Sequence, residues 1–521
     1  MKDGTFVANA GSGLSGLMAN LGNFANRLAT DPEAVPLSPG INPGDIRRLL
    51  PAEPPQRGEA LERVLERFAI ELEPAINPWN HPGFLAFFGI STPPAALAGA
   101  FLEALYNSNA MLWKTSPAGT EISQVTADWV RQMIGLPDVF SGLFFESASV
   151  AVLHAMVGAR ERVTAMVARQ RGLTDDRRLR AYVSSETHFS VTKAAIVAGI
   201  GIDNVRIIPA DQALQMDVDR LECAIRNDLE AGDAPFFVVG TVGTTSTTSI
   251  DPIQRLGDLA ERYGLWFHVD AAYGGMVAAV PEFRHVLAGC ERADSITVNP
   301  HKHGFVPLGC SLLYVRELGH LSQIFRQRGN YTTSAATETF NIMDFTFGTG
   351  QPIRALPLWF VIMNYGSEGF VARIREHMRL GQLFRAWIEQ ADEFELLAPV
   401  TFSTIVFRAR PADVHDEDEL RTLNESLLLA FNGSHRSVIS STQVSGRFGL
   451  RLTIGNYLTD EAVLHRSWNL LQSELHALMP AVQRETLAAG RGVAVYPAWS
   501  YWARRARRIA ALSVASPAHA A

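Results

Sequence analysis

The sequence predicts an α/β fold built on a largely parallel, doubly wound sheet, and three observations carry that prediction. From about residue 120, helical stretches alternate with short apolar runs. The runs are Leu143-Phe144-Phe145, Ala181-Tyr182-Val183, Phe236-Phe237-Val238-Val239, Leu265-Trp266-Phe267-His268-Val269 and Ser295-Ile296-Thr297-Val298. Near-continuous apolar strands separated by helices are what a sheet covered on both faces requires. With 521 residues, 47% hydrophobic and 19% charged, the chain is also long and apolar enough to fill more than one core.

Taken in order, residues 1–58 are rich in Gly, Asn and Pro and read as an extended arm. Leu61, Val64, Leu65, Phe68 and Leu72 then recur at helical spacing until Pro74 stops the helix. The strand-and-helix alternation follows. A helical stretch from about Leu356 to Glu389 leads to a smaller C-terminal α+β layer, with strands over Thr401–Arg408 and Gly449–Ile454. The resulting division is an arm and helical segment over 1–115, a large domain over 116–375, and a small domain with tail over 376–521.

Bulk properties narrow the function. A net charge of −7 argues against a nucleic-acid partner. Cys223, Cys290 and Cys310 show no CxxC spacing, which points to a reducing compartment and no structural zinc. No apolar run has the length of a signal peptide or of a membrane span, so a cytoplasmic location is expected. The basic, aromatic stretch Tyr501–Arg508 reads as a solvated helix, with a membrane or partner surface as the alternative.

In a doubly wound sheet, ligands sit beyond the carboxyl ends of the strands. Two strand ends carry a specific pairing. Phe267-His268-Val269-Asp270-Ala271-Ala272 ends in an aspartate, and Asn299-Pro300-His301-Lys302-His303 brings a lysine just past the next strand. A lysine able to form a Schiff base and an aspartate able to pair with a pyridine nitrogen can hold the two ends of a pyridoxal phosphate ring. Alone, Asp270 reads equally well as a turn or cap residue. Ser147-Ala148-Ser149 follows a strand and opens a helix; such residues are usually caps, and the same helix start can hold a phosphate. Thr245 and His188 also follow strands. Tyr331 lies in an unpatterned stretch that runs to about Gly350, a length that suggests a mobile lid.

With these residues in view, the chain resembles the group II pyridoxal-phosphate-dependent amino-acid decarboxylases, nearest to those acting on aromatic L-amino acids. The resemblance rests on His81-Pro82-Gly83-Phe84, Ser116-Pro117-Ala118-Gly119-Thr120-Glu121, Gly243-Thr244-Thr245, His268–Tyr273, Pro281–His285, Ala293-Asp294-Ser295 and Asn299–Lys302, in order between about residues 60 and 470. It implies a fold type I enzyme, a homodimer with shared active sites, and an N-terminal helical arm that helps form the dimer. It further implies Lys302 as the Schiff-base lysine, Asp270 on the pyridinium, His188 stacked on the ring and Ala272 on its other face. Ser147, Ala148, Ser149, Asn299 and His301 become phosphate ligands, and Thr245 a contact near the ring. Tyr331 becomes the residue that helps protonate the α-carbon once carbon dioxide has left.

Three departures bear on the substrate. His303 stands where the family commonly has tryptophan, and Gly350-Gln351-Pro352 replaces a Gly-Arg-Arg segment while Arg354 remains. Asn109 and Met111 replace an aliphatic residue and a phenylalanine of animal relatives. Gly350 tilts the expectation toward tryptophan over tyrosine, dopa or phenylalanine. The alternatives are an oxidative decarboxylase-deaminase that yields an aromatic aldehyde, and a decarboxylase of an acidic or aliphatic amino acid.

Overall fold

A computed structural model describes residues 13–30, 35, 37, 40–174, 177–327 and 339–489. Seven strands form the main sheet: β1 (Ser141–Phe145), β2 (Leu179–Ser184), β3 (Val205–Ile208), β4 (Ala234–Thr241), β5 (Trp266–Asp270), β6 (Ser295–Val298) and β7 (Ser311–Val315). Their spatial order is β1-β7-β6-β5-β4-β2-β3. Strands β2 to β6 pair in parallel, whereas β7 runs antiparallel to both β6 and β1. Two reversals therefore return β1 to the direction of the parallel set. The carboxyl ends of β1, β2, β4, β5 and β6 share one edge of the sheet.

The register sets these ends level, with Thr241 opposite Asp270 and Asp270 opposite Thr297. Helices between the strands cover the sheet. In the helix Ile253–Tyr263, Ile253, Leu256, Leu259 and Ala260 form the buried stripe, and Gly264 at φ 66° closes it. The helix Val218–Glu230 starts at Asp217, whose carboxylate accepts from the Asp219 and Arg220 N–H groups. Phe237, Val238 and Val239 of β4 are wholly buried. Each large apolar side chain so buried contributes about 1.5–3 kcal/mol.

A second, antiparallel sheet has the order β10-β11-β9-β8, from β8 (Phe394–Leu396), β9 (Thr404–Ala409), β10 (Ser440–Val444) and β11 (Arg447–Thr453). The helix Leu356–Gln390 leads into it, bent at Gly366, whose φ of 65° suits glycine. The helix expected over Leu61–Leu72 is present, although its last turn widens into a π-turn at Phe68–Leu72.

The composition reading of residues 1–58 as an extended arm is corrected, in favour of the helical arm that the resemblance implies. Gly13–Thr30 is a helix rather than extended chain. Arg27 pairs with Glu73 at 2.7 Å and Phe24 meets Phe68 edge-on at 5.9 Å, so contacts with the next helix hold a segment of weak propensity. Among the described residues, no helix is long and apolar enough to cross a membrane.

Candidate active site

The level strand ends open onto a cavity of about 440 Å³. Ser147, Ala148 and Ser149 reach it from the end of β1, and His188 from the loop after β2. Thr245 arrives past β4, Asp270 and Ala272 at β5, and Asn299, His301 and Lys302 past β6. All ten residues expected around a cofactor thus line one space. Tyr331 falls outside the described residues.

Asp270 is the last residue of β5, and its Oδ1 accepts the Ala272 N–H at 3.0 Å. That bond turns the chain at Ala271, where close packing continues: a Cβ on Gly275 would lie 2.6 Å from the Ala271 carbonyl and 2.8 Å from Val298 of β6. Behind the aspartate, buried His268 contacts the Ser295 hydroxyl at 2.8 Å through Nδ1.

Lys302 lies in the single turn Pro300–His303, with its Nζ 4.5 Å from the Phe88 ring centre. Burial pulls its ammonium down to about 8; Asp270 opposes that shift and Arg451 adds to it. A larger fraction of free amine near neutral pH follows, as a nucleophilic lysine requires. His188 Nδ1 accepts the Ser190 N–H at 3.2 Å, which leaves Nε2 to carry the proton of the neutral ring. Burial lowers its proton affinity, Asp270 raises it, and Lys302 and Lys193 lower it.

One helix start invites an anion. Ser147 caps the helix Ala148–Val163, its hydroxyl accepting from the Val150 N–H at 3.4 Å. The first N–H groups of that helix have no partner within it and point along its positive end. Buried Asn299 Oδ1 has no hydrogen-bond partner among the described residues. His301 donates from Nδ1 to the Cys310 carbonyl at 2.7 Å, and burial brings its ring down to about 4. Asp270, Lys302 and the Ser147 helix start therefore fit a group with a ring nitrogen, an aldehyde and a phosphate.

The sequence reading missed the opposite wall. Phe87, Phe88 and Leu308 line the cavity, with Ser440, Ser441 and Thr442 of β10 and Arg451 of β11. Arg451 is 4% exposed. Its Nε donates to the Ser246 carbonyl at 3.0 Å, its Nη1 donates to the Phe87 carbonyl, and its guanidinium lies 4.5 Å from the Phe88 ring centre. Its Nη2 has no partner among the described residues. The available signal was an arginine inside the apolar strand Gly449-Leu450-Arg451-Leu452.

The residues expected to tune the substrate lie elsewhere in the chain. Asn109 Oδ1 accepts the Gln351 N–H at 3.0 Å and the Met111 N–H at 3.1 Å. Asn109, Gly350, Gln351 and Pro352 line a separate cavity of about 470 Å³. Arg354 sits 3.8 Å from Glu146.

Comparisons with known proteins agree with this geometry. Residues 43–410 match the pyridoxal-dependent decarboxylase conserved domain. Tyrosine decarboxylase 2 of Arabidopsis thaliana is 34% identical, the alignment covering 87% of this chain and 84% of that protein. Phenylacetaldehyde synthase of the same plant is also 34% identical, with 86% and 92% covered. Among solved structures, the Oryza sativa TDC with PLP and tryptamine superposes with a TM-score of 0.87 at 31% identity, over 91% of this chain and 99% of that one. The fold is that of these pyridoxal phosphate enzymes, and the chain belongs to the pyridoxal-dependent decarboxylase family.

Proposed function

We propose that this enzyme decarboxylates an aromatic L-amino acid, with tryptophan slightly favoured over tyrosine, dopa and phenylalanine, to the amine and carbon dioxide. The observation that carries the reading is the convergence of Lys302, Asp270, His188 and Arg451 on one cavity. Lys302 would hold the cofactor aldehyde and Asp270 its ring nitrogen, with His188 and Ala272 on the two faces. Ser147, Ala148, Ser149, Asn299 and His301 would surround the phosphate, and Thr245 would lie near the ring. When bound, pyridoxal phosphate supplies a sink for the electron pair left as the bond to the carboxylate breaks.

The protein's part is positioning and proton control. Asp270 favours a proton on the ring nitrogen by its charge. Lys302, its ammonium held down to about 8, would be partly free amine near neutral pH, the form able to bond to the cofactor aldehyde. Arg451 lines the cavity and is a buried cation suited to the substrate carboxylate. His188 keeps its Nε2 proton available for transfer, and Tyr331 is the donor assigned to the α-carbon.

A homodimer with shared sites completes the reading. Leu97, Phe101 and Leu105 recur at helical spacing along Pro94–Tyr106 and are 50%, 38% and 56% exposed, an apolar stripe that a partner subunit would cover. The divisions 1–115, 116–375 and 376–521 and a cytoplasmic location, which suits the three free cysteines, belong to the same reading. A panel of tryptophan, tyrosine, phenylalanine, dopa and glutamate, read by amine formation, tests it; glutamate as the preferred substrate would overturn it. The second reading, an aldehyde-forming oxidative decarboxylase, has support in the likeness to phenylacetaldehyde synthase. Tyr331 and His188, both retained, favour the amine; stoichiometric peroxide release would favour the aldehyde.

A further inference from the structure

His303 follows Lys302 directly and closes the turn Pro300–His303. It is 1% exposed, and neither ring nitrogen has a hydrogen-bond partner among the described residues. His377, on the helix Leu356–Gln390, is wholly buried beside it. Its Nε2 donates to the Asn456 carbonyl at 3.0 Å, so its Nδ1, likewise unpartnered, is an acceptor in the neutral ring.

Buried polar atoms in native proteins almost always find a partner. Direct hydrogen bonding between two imidazoles brings their centres within roughly 5 Å, given a bond of about 3 Å. The His303 and His377 centres are 6.1 Å apart, with planes tilted by 47°. One bridging water extends the reach to roughly 8 Å, and a buried water typically serves two to four polar atoms. Tyr273 is nearer, at 4.7 Å between ring centres, but its hydroxyl is engaged by Ser403 and Thr404.

The contact continues past His377. Asn456 Nδ2 donates to the His81 carbonyl at 3.1 Å and the Trp79 carbonyl at 3.4 Å. The Trp79 indole stacks on Phe87 at 5.6 Å, and Phe87 and Phe88 wall the cavity. The geometry points to a buried water shared by His303 and His377, which makes His303 a positioning residue: it ties the Lys302 turn, through His377 and Asn456, to the wall formed by Trp79–Phe88. This inference rests on Lys302 being the cofactor lysine.

The pair also has a pH signature. Lys302 and Arg373 are the cations that act on it, and Tyr273 is the other ionisable group against it. Burial brings His303 down to about 3 and His377 well below the usual histidine value. Both bind protons less readily folded than unfolded. Their contribution to stability is complete above about pH 6.5 and is lost as pH falls toward the folded value.

The test is a cycle of holoenzyme variants: His303→Phe, His377→Phe, both together, and His303→Gln. Each single phenylalanine variant is expected to keep the cofactor's visible absorbance and lose about tenfold in kcat with little change in KM, as misplacement of a reacting group does. The double variant should be no slower than the worse single variant. Glutamine, which keeps a donor and an acceptor, should recover most of the rate. The thermal midpoint should fall less between about pH 7.5 and pH 5 in His303→Phe than in the parent. Multiplicative losses, an unchanged kcat, or glutamine no better than phenylalanine would overturn the shared water. If phenylalanine prevents folding, His303→Leu and His377→Leu run the same cycle under the same criteria. Lys302→Ala separates the premises: retained visible absorbance there would mean that the cofactor reading itself has failed.

Discussion

Replacing Arg451 with methionine removes the guanidinium that, like the Lys302 ammonium, lies 4.5 Å from the Phe88 ring centre, while keeping much of the side chain's bulk. Three contacts go at once: the bonds to the Ser246 and Phe87 carbonyls and the cation over Phe88. If the Arg451 guanidinium meets the substrate carboxylate, the variant also leaves that carboxylate without its buried partner. Truncating one side of such a pair costs about 2–5 kcal/mol. Taking roughly 2–4 kcal/mol and tenfold per 1.4 kcal/mol, kcat/KM should fall by about 30- to 700-fold. A second readout carries a sign. Arg451 helps hold the Lys302 ammonium down at about 8, so its removal must raise that value. The rate at which cofactor-free enzyme takes up pyridoxal phosphate should then need a higher pH to reach half its maximum. Steady-state kinetics and the pH dependence of uptake check both. A kcat/KM within threefold of the parent, or an uptake midpoint that moves down, would refute the placement of Arg451 opposite the carboxylate.

Other variants probe separate parts of the account. Lys302→Ala should abolish turnover and the cofactor's visible absorbance; absorbance spectra and amine assays read this directly. Tyr331→Phe should lower amine output and raise aldehyde and peroxide, and an unchanged product profile would remove Tyr331 from proton delivery. Asp270→Asn takes away the charge that raises the Lys302 value, so the uptake midpoint should move below about 8, opposite in sign to Arg451→Met. Gly275→Ala places a Cβ 2.6 Å from the Ala271 carbonyl and should cost about 1–3 kcal/mol, lowering the thermal midpoint. Gly319→Ala, which meets nothing within 4 Å in the helix Leu318–Phe325, is the control and should be neutral or slightly stabilising.

What was legible in the sequence was what chain proximity reports. Asp270, Lys302, Ser147, His188 and Thr245 each follow an apolar run closely, so a strand end and its chemistry share a few residues. Arg451 and Ser440–Thr442 come from the second sheet, and only the fold brings them to the cavity. Strand direction was equally hidden: Ser311–Val315 is as apolar as its neighbours, and nothing in it announces that β7 runs antiparallel. Short β3 and β8 carry too little pattern to stand out. The helix Gly13–Thr30 was obscured by Gly16, Gly22 and Asn20, which mask the spacing of Leu17, Leu21, Phe24 and Leu28.

The account stands most directly on what leaves the cavity. The purified enzyme, loaded with pyridoxal phosphate, is given tryptophan, tyrosine, phenylalanine or dopa while carbon dioxide, amine and peroxide are measured together. Carbon dioxide and amine should appear in equal amounts from at least one of these substrates, without peroxide. Loaded enzyme that releases no carbon dioxide from any of them, or that releases it with aldehyde and peroxide in place of amine, would contradict the account.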